Sequence, residues 1–432
     1  MIAFECFEKL KQWLPCMISP LFPFDSELAH FIEEEKKRQQ TTLSLIASEN
    51  YVDKGILQAV GSVLTNKYAE GYPGKRYYAG CAVVDQIELL AQERCKTLFG
   101  AQHANVQPHA GSQANMAVYY AALRPGDTIL GMSLAHGGHL THGHSVNFSG
   151  IFYKTVAYGV DQESEQIDYD KVQKLAEEHK PALLIAGASA YSRIIDFERC
   201  AAIAASVNAL FLADIAHIAG LVAAQLHPSP VPYADFVSST THKTLRGPRG
   251  GVIMSKLMHA SALDRAIMPG TQGGPFMNVI AAKAACFYEA AQPAFSAYQR
   301  QVIKNAQAMA NAFHSLGYRI VSGGTDNHLF IVDLRSKKIT GLQAERYLEL
   351  AGITTSRSCI PFDPQKPWIT SGLRIGTPAV TTRGLEEDSC QVLVALIDQV
   401  LSSSHPEKSV IESARVVKSL CEQFPVPLFT AT

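Results

Sequence analysis

The stretch Ser238-Ser-Thr-Thr-His-Lys243-Thr-Leu-Arg-Gly-Pro-Arg-Gly-Gly251 places a lysine between small hydroxyl residues and a glycine-rich turn. Upstream, Ala209–Asp214 is apolar until it ends in an acid, and His217 follows. In a parallel α/β sheet, ligands bind beyond the carboxyl ends of the strands, where such side chains project. A lysine and an acid in these positions suit pyridoxal phosphate, whose aldehyde bonds to an amine and whose pyridine nitrogen pairs with a carboxylate. The two stretches therefore predict a pyridoxal-phosphate site on a parallel sheet.

The neighbours of Lys243 favour a reactive amine. His242, Arg246 and Arg249 bring further basic groups close to it along the chain. Nearby cations and partial desolvation lower the pKa of a lysine, which makes it nucleophilic at neutral pH. The alternative is a surface lysine in a basic loop.

The composition excludes several classes of protein. The chain has 432 residues, enough for two or three domains, and 47% of them are hydrophobic. Lys and Arg number 38 against 39 Asp and Glu, so no charge excess indicates nucleic acid or a membrane surface. The nine cysteines contain no CxxC pair, which favours reduced thiols in a cytoplasmic protein. No apolar run approaches the ~18 residues of a membrane span.

The first residues do not resemble a secretory signal, because Glu5, Glu8 and Lys9 interrupt any apolar segment. Met17 is an alternative start, which would leave residues 1–16 untranslated.

Short apolar runs alternate with helical periodicity from residue 85 to about 290. The runs that indicate buried strands are Asp127–Met132, Ala182–Ala186, Ala209–Ala213 and Asp235–Ser238. We expect a mostly parallel sheet covered by helices on both faces. Beyond a weak boundary at Ala291–Phe295, the pattern predicts a smaller α/β domain. The expected divisions are an extension and arm (1–50), a large cofactor-binding domain (51–293) and a small domain with a tail (294–432).

Two further motifs surround the predicted cofactor. Gly111-Ser112-Gln113 opens a helix, and the free N–H groups of a helix N-terminus form a cradle for phosphate. Leu134–His144 holds four histidines among glycines. Zinc is one interpretation, although no Cys or carboxylate lies close in sequence to complete the site. The preferred interpretation is that His139 stacks on the flat cofactor ring.

Two motifs point to the substrate. Asn66–Tyr78 combines four tyrosines with Glu70, which predicts a functional loop presenting a proton carrier, an interface loop, or both. Arg374 lies between glycines in a strand-like run, where its planar fork suits a bidentate clamp on an α-carboxylate. An arginine in an apolar strand also pairs with protein carboxylates, so both interpretations stay open.

From about residue 25 to 403, the chain resembles serine hydroxymethyltransferase, of the fold-type I (aspartate aminotransferase-like) class of pyridoxal-phosphate enzymes. The segments that carry the resemblance are Leu45–Asn50, Asn66–Tyr78, Asn105–Asn115, Leu134–Gly143, Ala213–Ala223, Thr240–Gly251 and Ser322–His328. The resemblance implies a seven-stranded, mostly parallel sheet and a smaller C-terminal domain. It also implies reversible conversion of serine and tetrahydrofolate to glycine and 5,10-methylenetetrahydrofolate.

The resemblance assigns roles to individual positions. The catalytic residues would be Lys243, Glu70, His242, Thr240 and Tyr78. The cofactor would be held by Lys243, Asp214, His217, His139, Ser112, Gly111, Ser189, Tyr68 and Gly274. The amino acid would be held by Arg374, Ser48, Glu70, Tyr78 and Arg249. The folate would be bordered by Leu134, Gly138, His139, Leu140, Gln365, Lys366 and Pro367. Tyr68, Glu70, Tyr78 and Gly274 would serve the site of a second copy in a homodimer.

One departure from the family concerns the folate. Ser356 and Ser358 stand where similar enzymes usually carry asparagines. In those enzymes, the asparagine at the position of Ser358 helps to hold the pterin. Serine is shorter and lacks the paired donor and acceptor of an amide. This motivates an alternative, a folate-independent β-hydroxy-amino-acid aldolase or small amino-acid racemase on the same scaffold. A non-catalytic, RNA-binding paralogue is disfavoured by the near-zero net charge.

Overall fold

A computed structural model describes residues 24–429 of the chain. The predictions for residues 1–16 and for Met17 as an alternative start lie outside this range. None of the helices within residues 24–429 combines the length and apolar character needed to cross a membrane.

The larger sheet has seven strands in the order β4-β10-β9-β8-β7-β5-β6. These strands are β4 (His103–Asn105), β5 (Thr128–Met132), β6 (Lys154–Tyr158), β7 (Leu183–Gly187), β8 (Leu210–Asp214), β9 (Phe236–Thr240) and β10 (Gly251–Ser255). All pairings from β6 to β9 are parallel, whereas β10 runs antiparallel to both β9 and β4. The mostly parallel, seven-stranded sheet is therefore as predicted.

Helices cover this sheet and bury apolar side chains against it. They are α2 (Lys54–Val60), α3 (Ala82–Phe99), α4 (Gly111–Ala122), α5 (Phe148–Phe152), α6 (Tyr169–His179), α7 (Phe197–Ser206), α8 (Ala219–Ala223), α9 (Ala260–Arg265) and α10 (Met277–Ala290). Two other helices, α1 (Ser26–Thr41) and α11 (Pro293–Ser315), pack mainly in the smaller part of the chain: α1 lies against the helix Pro406–Gln423, and α11 contributes Ala306 and Phe313 to the second apolar cluster. In α3, residues 84, 88, 91, 95 and 99 are buried, the spacing of one helical face. Gly100 ends this helix with φ 72°, a left-handed conformation that glycine adopts without strain.

A second, four-stranded antiparallel sheet has the order β11-β12-β15-β14. Its strands are β11 (Arg319–Ile320), β12 (Leu329–Asp333), β14 (Ser356–Ser358) and β15 (Gly372–Gly376). The helices in this part are α12 (Gly341–Leu350), α13 (Pro378–Thr382), α14 (Glu387–Leu401) and α15 (Pro406–Gln423). They share one apolar cluster with the strands, so this sheet has a core of its own.

Two small pairings complete the strands. β1 (Leu43–Ser44) pairs in parallel with β13 (Ile353–Thr354), and Leu43 belongs to the apolar cluster of the second sheet. β2 (Gly71–Tyr72) and β3 (Lys75–Arg76) form a hairpin within the tyrosine-rich loop. The segment before residue 50 therefore packs mainly on the smaller core.

Candidate active site

A cavity of about 340 Å³ opens where β8 and β9 end, at Asp214 and Thr240. It lies at the carboxyl ends of parallel strands, the usual place for ligands in such sheets. Its walls include these residues predicted from the sequence: Ser48, Gly111, Ser112, His139, Ser189, Asp214, His217, Thr240, His242, Lys243, Arg249 and Arg374. Most of the predicted cofactor and substrate residues are thus gathered in one place.

Asp214 is held as an ionised carboxylate by its neighbours. His142 Nε2 lies 3.1 Å from Oδ2, Asn115 Nδ2 donates to the same oxygen at 2.9 Å, and the backbone N–H of Ala216 donates to Oδ1 at 3.0 Å. Burial alone would raise the pKa of this carboxyl, but the hydrogen bonds from His142 and Asn115 hold it well below its usual range. The cavity therefore contains a fixed negative charge.

Lys243 follows β9 by three residues and reaches the same cavity. Burial lowers the pKa of its amine to about 8, while the negative charge of Asp214 opposes this shift and Arg374 reinforces it. Burial also lowers the pKa of the adjacent His242 to about 3, assisted by the positive charge of Arg249. The site thus presents an amine that is partly unprotonated near neutral pH.

The N-terminus of α4 opens into the cavity through Ala110, Gly111 and Ser112. The N-cap residue Ala110 has no side chain that could satisfy the first N–H groups of the helix. A Cβ on Gly111 would lie 2.7 Å from Cγ2 of Thr240, so the close approach of helix and strand requires glycine here. This helix end is free to receive an anionic group.

His139 lies in the wall beside Asp214. Its Nδ1 accepts from the backbone N–H of Thr141 at 3.2 Å, and burial lowers its pKa to about 4. The ring is therefore neutral, with a fixed orientation.

Arg374 lies in the middle of β15, where it faces the larger sheet. Its Nη1 donates to the carbonyl of Ser189 at 2.8 Å, and its Nε lies 3.3 Å from Oγ of Ser356. Within residues 24–429 no carboxylate pairs with this guanidinium, unlike the arrangement in which an arginine neutralises a protein acid. Its charge is left for a ligand in the cavity.

A second cavity of about 630 Å³ adjoins the first. The two share His139, His142, Ser189 and Arg374. Of the predicted folate residues, Leu134, Gly138, His139 and Pro367 line it, together with Ser358. Leu140, Gln365 and Lys366 are exposed and do not line it. The predicted folate set is therefore only partly gathered in this cavity.

Tyr68, Glu70, Tyr78 and Gly274 form a separate cluster, outside the cavity of Lys243. Tyr68 Oη donates to Glu70 Oε1 at 3.1 Å, the rings of Tyr68 and Tyr78 meet edge to face, and Gly274 packs against the ring of Tyr68. Tyr68 is 55% exposed and Tyr78 is 49% exposed. The cluster is accessible to another molecule.

A family model described as serine hydroxymethyltransferase matches residues 21–397, most of the chain. The chain belongs to the serine hydroxymethyltransferase family. Members use pyridoxal phosphate and exchange a one-carbon unit between serine and tetrahydrofolate, and this is the activity of the chain. The match confirms the family, the fold class, the enzymatic activity, the cofactor and the folate co-substrate predicted from the sequence.

The cavity fits the cofactor of the serine hydroxymethyltransferase family. The uncapped end of α4 suits a phosphate, the ionised Asp214 suits a protonated ring nitrogen, and Lys243 supplies an amine. All three groups line the same cavity.

Two residues that organise the candidate site were not predicted from the sequence. Asn115 bridges Asp214 and Ser238, whose hydroxyl donates to Asn115 Oδ1 at 2.6 Å. His142 was counted in the histidine run but received no role, although its spacing of three from His139 was a usable signal. The zinc alternative retains three donors within 4.8 Å of one another, in His139, His142 and Asp214. In the present geometry, His142 and Asp214 use these atoms to bond each other.

Proposed function

We propose that the cavity around Lys243 is where this chain converts serine and tetrahydrofolate reversibly to glycine and 5,10-methylenetetrahydrofolate. The observation that supports this most is that the Lys243 amine, the Asp214 carboxylate and the Arg374 guanidinium line one cavity. Pyridoxal phosphate, when bound, supplies a ring that accepts electron density from the amino acid.

The cofactor is held by residues at the base of the cavity. Lys243 bonds to it, Gly111 and Ser112 receive its phosphate, and His139 stacks on its ring. Ser189 and His217 contact its phenolic oxygen. Asp214 keeps a proton on the ring nitrogen, which is supported by the three donors that hold this carboxylate ionised.

The amino acid is oriented by three further residues that line the same cavity. Arg374, with Ser48 and Arg249, holds the carboxylate, and the unpaired guanidinium of Arg374 supports this role. His242 and Thr240 precede Lys243 in the chain, and we propose that they take part in proton transfer there. The low pKa of His242 makes it a neutral acceptor at physiological pH.

We propose that Lys243→Ala abolishes turnover and leaves the fold intact. The measurement is serine cleavage with tetrahydrofolate, with circular dichroism and the thermal midpoint as controls for folding. Lys256→Ala is a matched control, because its amine pairs with Asp235 outside the cavity. Full activity in Lys243→Ala would refute the proposed site.

We propose a homodimer in which Tyr68, Glu70, Tyr78 and Gly274 complete the site of the partner. The exposure of Tyr68 and Tyr78 supports this arrangement, as does the finding that none of the four residues lines the Lys243 cavity of its own chain. Mixing inactive Lys243→Ala with inactive Glu70→Gln and exchanging subunits should restore about a quarter of wild-type activity, because half of the dimers then hold one intact site of two. No recovery after demonstrated exchange, or an active monomer by light scattering, would contradict the proposal.

We propose that the second cavity receives the folate, bordered by Leu134, Gly138, His139 and Pro367. Leu140, Gln365 and Lys366, which do not line this cavity, stay predictions for the same role. Comparing serine cleavage with and without tetrahydrofolate separates this function from a folate-independent aldolase or racemase. No observation on residues 24–429 favours that alternative, and folate-independent turnover would restore it.

The cytoplasm is the proposed location. It is supported by the described cysteines, such as Cys95 and Cys286, which are free thiols. Fractionation of cells that express the tagged chain tests this assignment.

A further inference from the structure

Two buried histidines meet behind the wall of the cavity. Nδ1 of His217 lies 3.3 Å from Nε2 of His328, and the residues are 5% and 0% exposed. His217 lines the cavity, whereas His328 stands behind it and does not line it. The lining residue that the His328 ring contacts by a nitrogen atom is His217.

The backbones of both residues are fixed. The carbonyl of His217 accepts from Oγ1 of Thr244 at 2.8 Å, close to Lys243 in the chain. The carbonyl of His328 accepts from the N–H of Thr377, just after β15. The contact thus joins the larger sheet to the smaller sheet that carries Arg374.

Both rings are neutral at physiological pH. Burial lowers the pKa of His328 to about 3 and that of His217 well below its usual range. The positive charges of Lys243 and Arg374 act in the same direction on both rings. A neutral imidazole has one N–H and one acceptor nitrogen, so only one of the two facing nitrogens carries a proton.

The ring nitrogens on the far side of the contact decide which of the two facing nitrogens carries the proton. Nδ1 of His328 is buried and has no hydrogen-bond partner among the described residues. A buried N–H without a partner is rarer and costlier than an acceptor in the same position. His328 therefore carries its proton on Nε2 and donates it to Nδ1 of His217. His217 must then carry its own proton on Nε2, which makes no hydrogen bond to another described residue.

We infer that His328 is a positioning residue, which keeps the proton of His217 on Nε2 and makes that nitrogen a hydrogen-bond donor into the cavity. This inference rests on the proposed function, in which His217 contacts the phenolic oxygen of the cofactor. Without His328, the ring of His217 is free to take the opposite tautomer or to rotate.

The test measures binding of pyridoxal phosphate to the apoenzyme by absorbance, together with the absorption band of the bound cofactor. His328→Phe removes both ring nitrogens, and His328→Gln keeps a donor near the position of Nε2. We expect the dissociation constant to rise about tenfold in His328→Phe, with a shifted band, and to stay within about threefold of wild type in His328→Gln. Equal losses in both variants, or no change in His328→Phe, would overturn the inference.

His227→Phe is the matched control for burying a phenyl ring. His227 is 4% exposed, and its ring nitrogens bond the backbone of Ile195 and Pro228. We expect a lower thermal midpoint without a change in cofactor binding. A drop in binding as large as that of His328→Phe would point to a merely structural cause and overturn the inference.

His217→Phe separates this inference from the proposed function. Unchanged cofactor binding in His217→Phe would remove the proposed contact of His217, and the inference with it. If His217→Phe weakens binding, the double variant should lose no more than His217→Phe alone, because His328 acts through His217. Additive losses would overturn only the inference.

Nitrogen-15 NMR of the unmutated holoenzyme, labelled in its histidine rings, tests the tautomer without a folding risk. The signal of His217 is assigned by its loss in His217→Phe. We expect a protonated Nε2 and an unprotonated Nδ1 for His217. A proton on Nδ1 of His217 would overturn the inference.

Discussion

Replacing Arg76 with methionine tests how the tyrosine-rich loop is held in place. Its side chain is 3% exposed and donates to Asp85, to Glu88 and to the carbonyls of Ala69 and Gly71, at 2.6 to 2.9 Å. These two carbonyls flank Glu70, so one guanidinium fixes the segment that we propose for the site of the partner. Arg76→Met keeps much of the volume and removes all of these hydrogen bonds.

The expected cost follows from the carboxylate that is left behind. Glu88 has a side-chain exposure of 0%, and its remaining hydrogen bonds come from neutral amides, Gln107 at 2.8 Å and Gln92 at 3.5 Å. Removing one partner of a buried ion pair costs about 3–5 kcal/mol, because the other charge stays buried without compensation. We expect the free energy of unfolding to fall by about that amount at pH 8.

The loss should depend on pH in a defined direction. Burial already raises the pKa of Glu88 above 4.5, although Arg76 opposes this shift. Without Arg76 the folded protein binds this proton still more tightly than the unfolded chain does. Stability is then lost as pH rises, by up to about 1.4 kcal/mol per pH unit between the unfolded and folded pKa values. The variant should be closest to wild type near pH 5.

Urea unfolding at equal protein concentration, at pH 5 and pH 8, measures both effects. Arg38→Met is the control, because its pair with Glu35 is exposed and should contribute less than about 1 kcal/mol. Adding Glu88→Gln to Arg76→Met should recover part of the loss at pH 8. A loss below about 1 kcal/mol, or one that is larger at pH 5, would refute the reasoning.

Three further predictions concern the two cavities. Because the amine of Lys243 has a pKa of about 8, capture of pyridoxal phosphate by the apoenzyme should speed up about tenfold from pH 7 to 9 and then level off, measured by stopped-flow absorbance; a steady rise beyond pH 10 would contradict it. Arg374→Lys should raise KM for serine at least about tenfold, since one ammonium cannot form the bidentate pair; an unchanged KM in steady-state kinetics would contradict it. Ser358→Asn should tighten tetrahydrofolate about threefold or more in titrations, because an amide offers a donor and an acceptor to the second cavity; unchanged affinity would contradict it.

Much of the fold could be predicted because its signals are local. The apolar runs that form β5, β7, β8 and β9 each lie between helical patterns, and alternation of this kind indicates a parallel sheet. The antiparallel direction of β10 could not be read in this way. Gly251–Ser255 follows a loop after β9, and its direction depends on pairing with both β9 and β4. The domain boundaries stay predictions.

The gathering of residues at the candidate site could be predicted where a single residue type indicates a particular chemistry. Lys243, Asp214 and Arg374 are each informative as single residue types, and they do line one cavity. Asn115 and His328 were not predictable, because the side chains that they contact, Asp214 and His217, lie far away in sequence. Only the folded arrangement brings such pairs into contact.

The four side chains common to both cavities have a thermodynamic consequence. Arg374 and His139 belong to each compartment, so a shift that accommodates one ligand also reshapes the space offered to the other. With the amino acid in the first cavity and the folate in the second, as we propose, we expect the binding of the two to be coupled. If bound amino acid changes the affinity for folate by some factor, bound folate must change the affinity for the amino acid by the same factor.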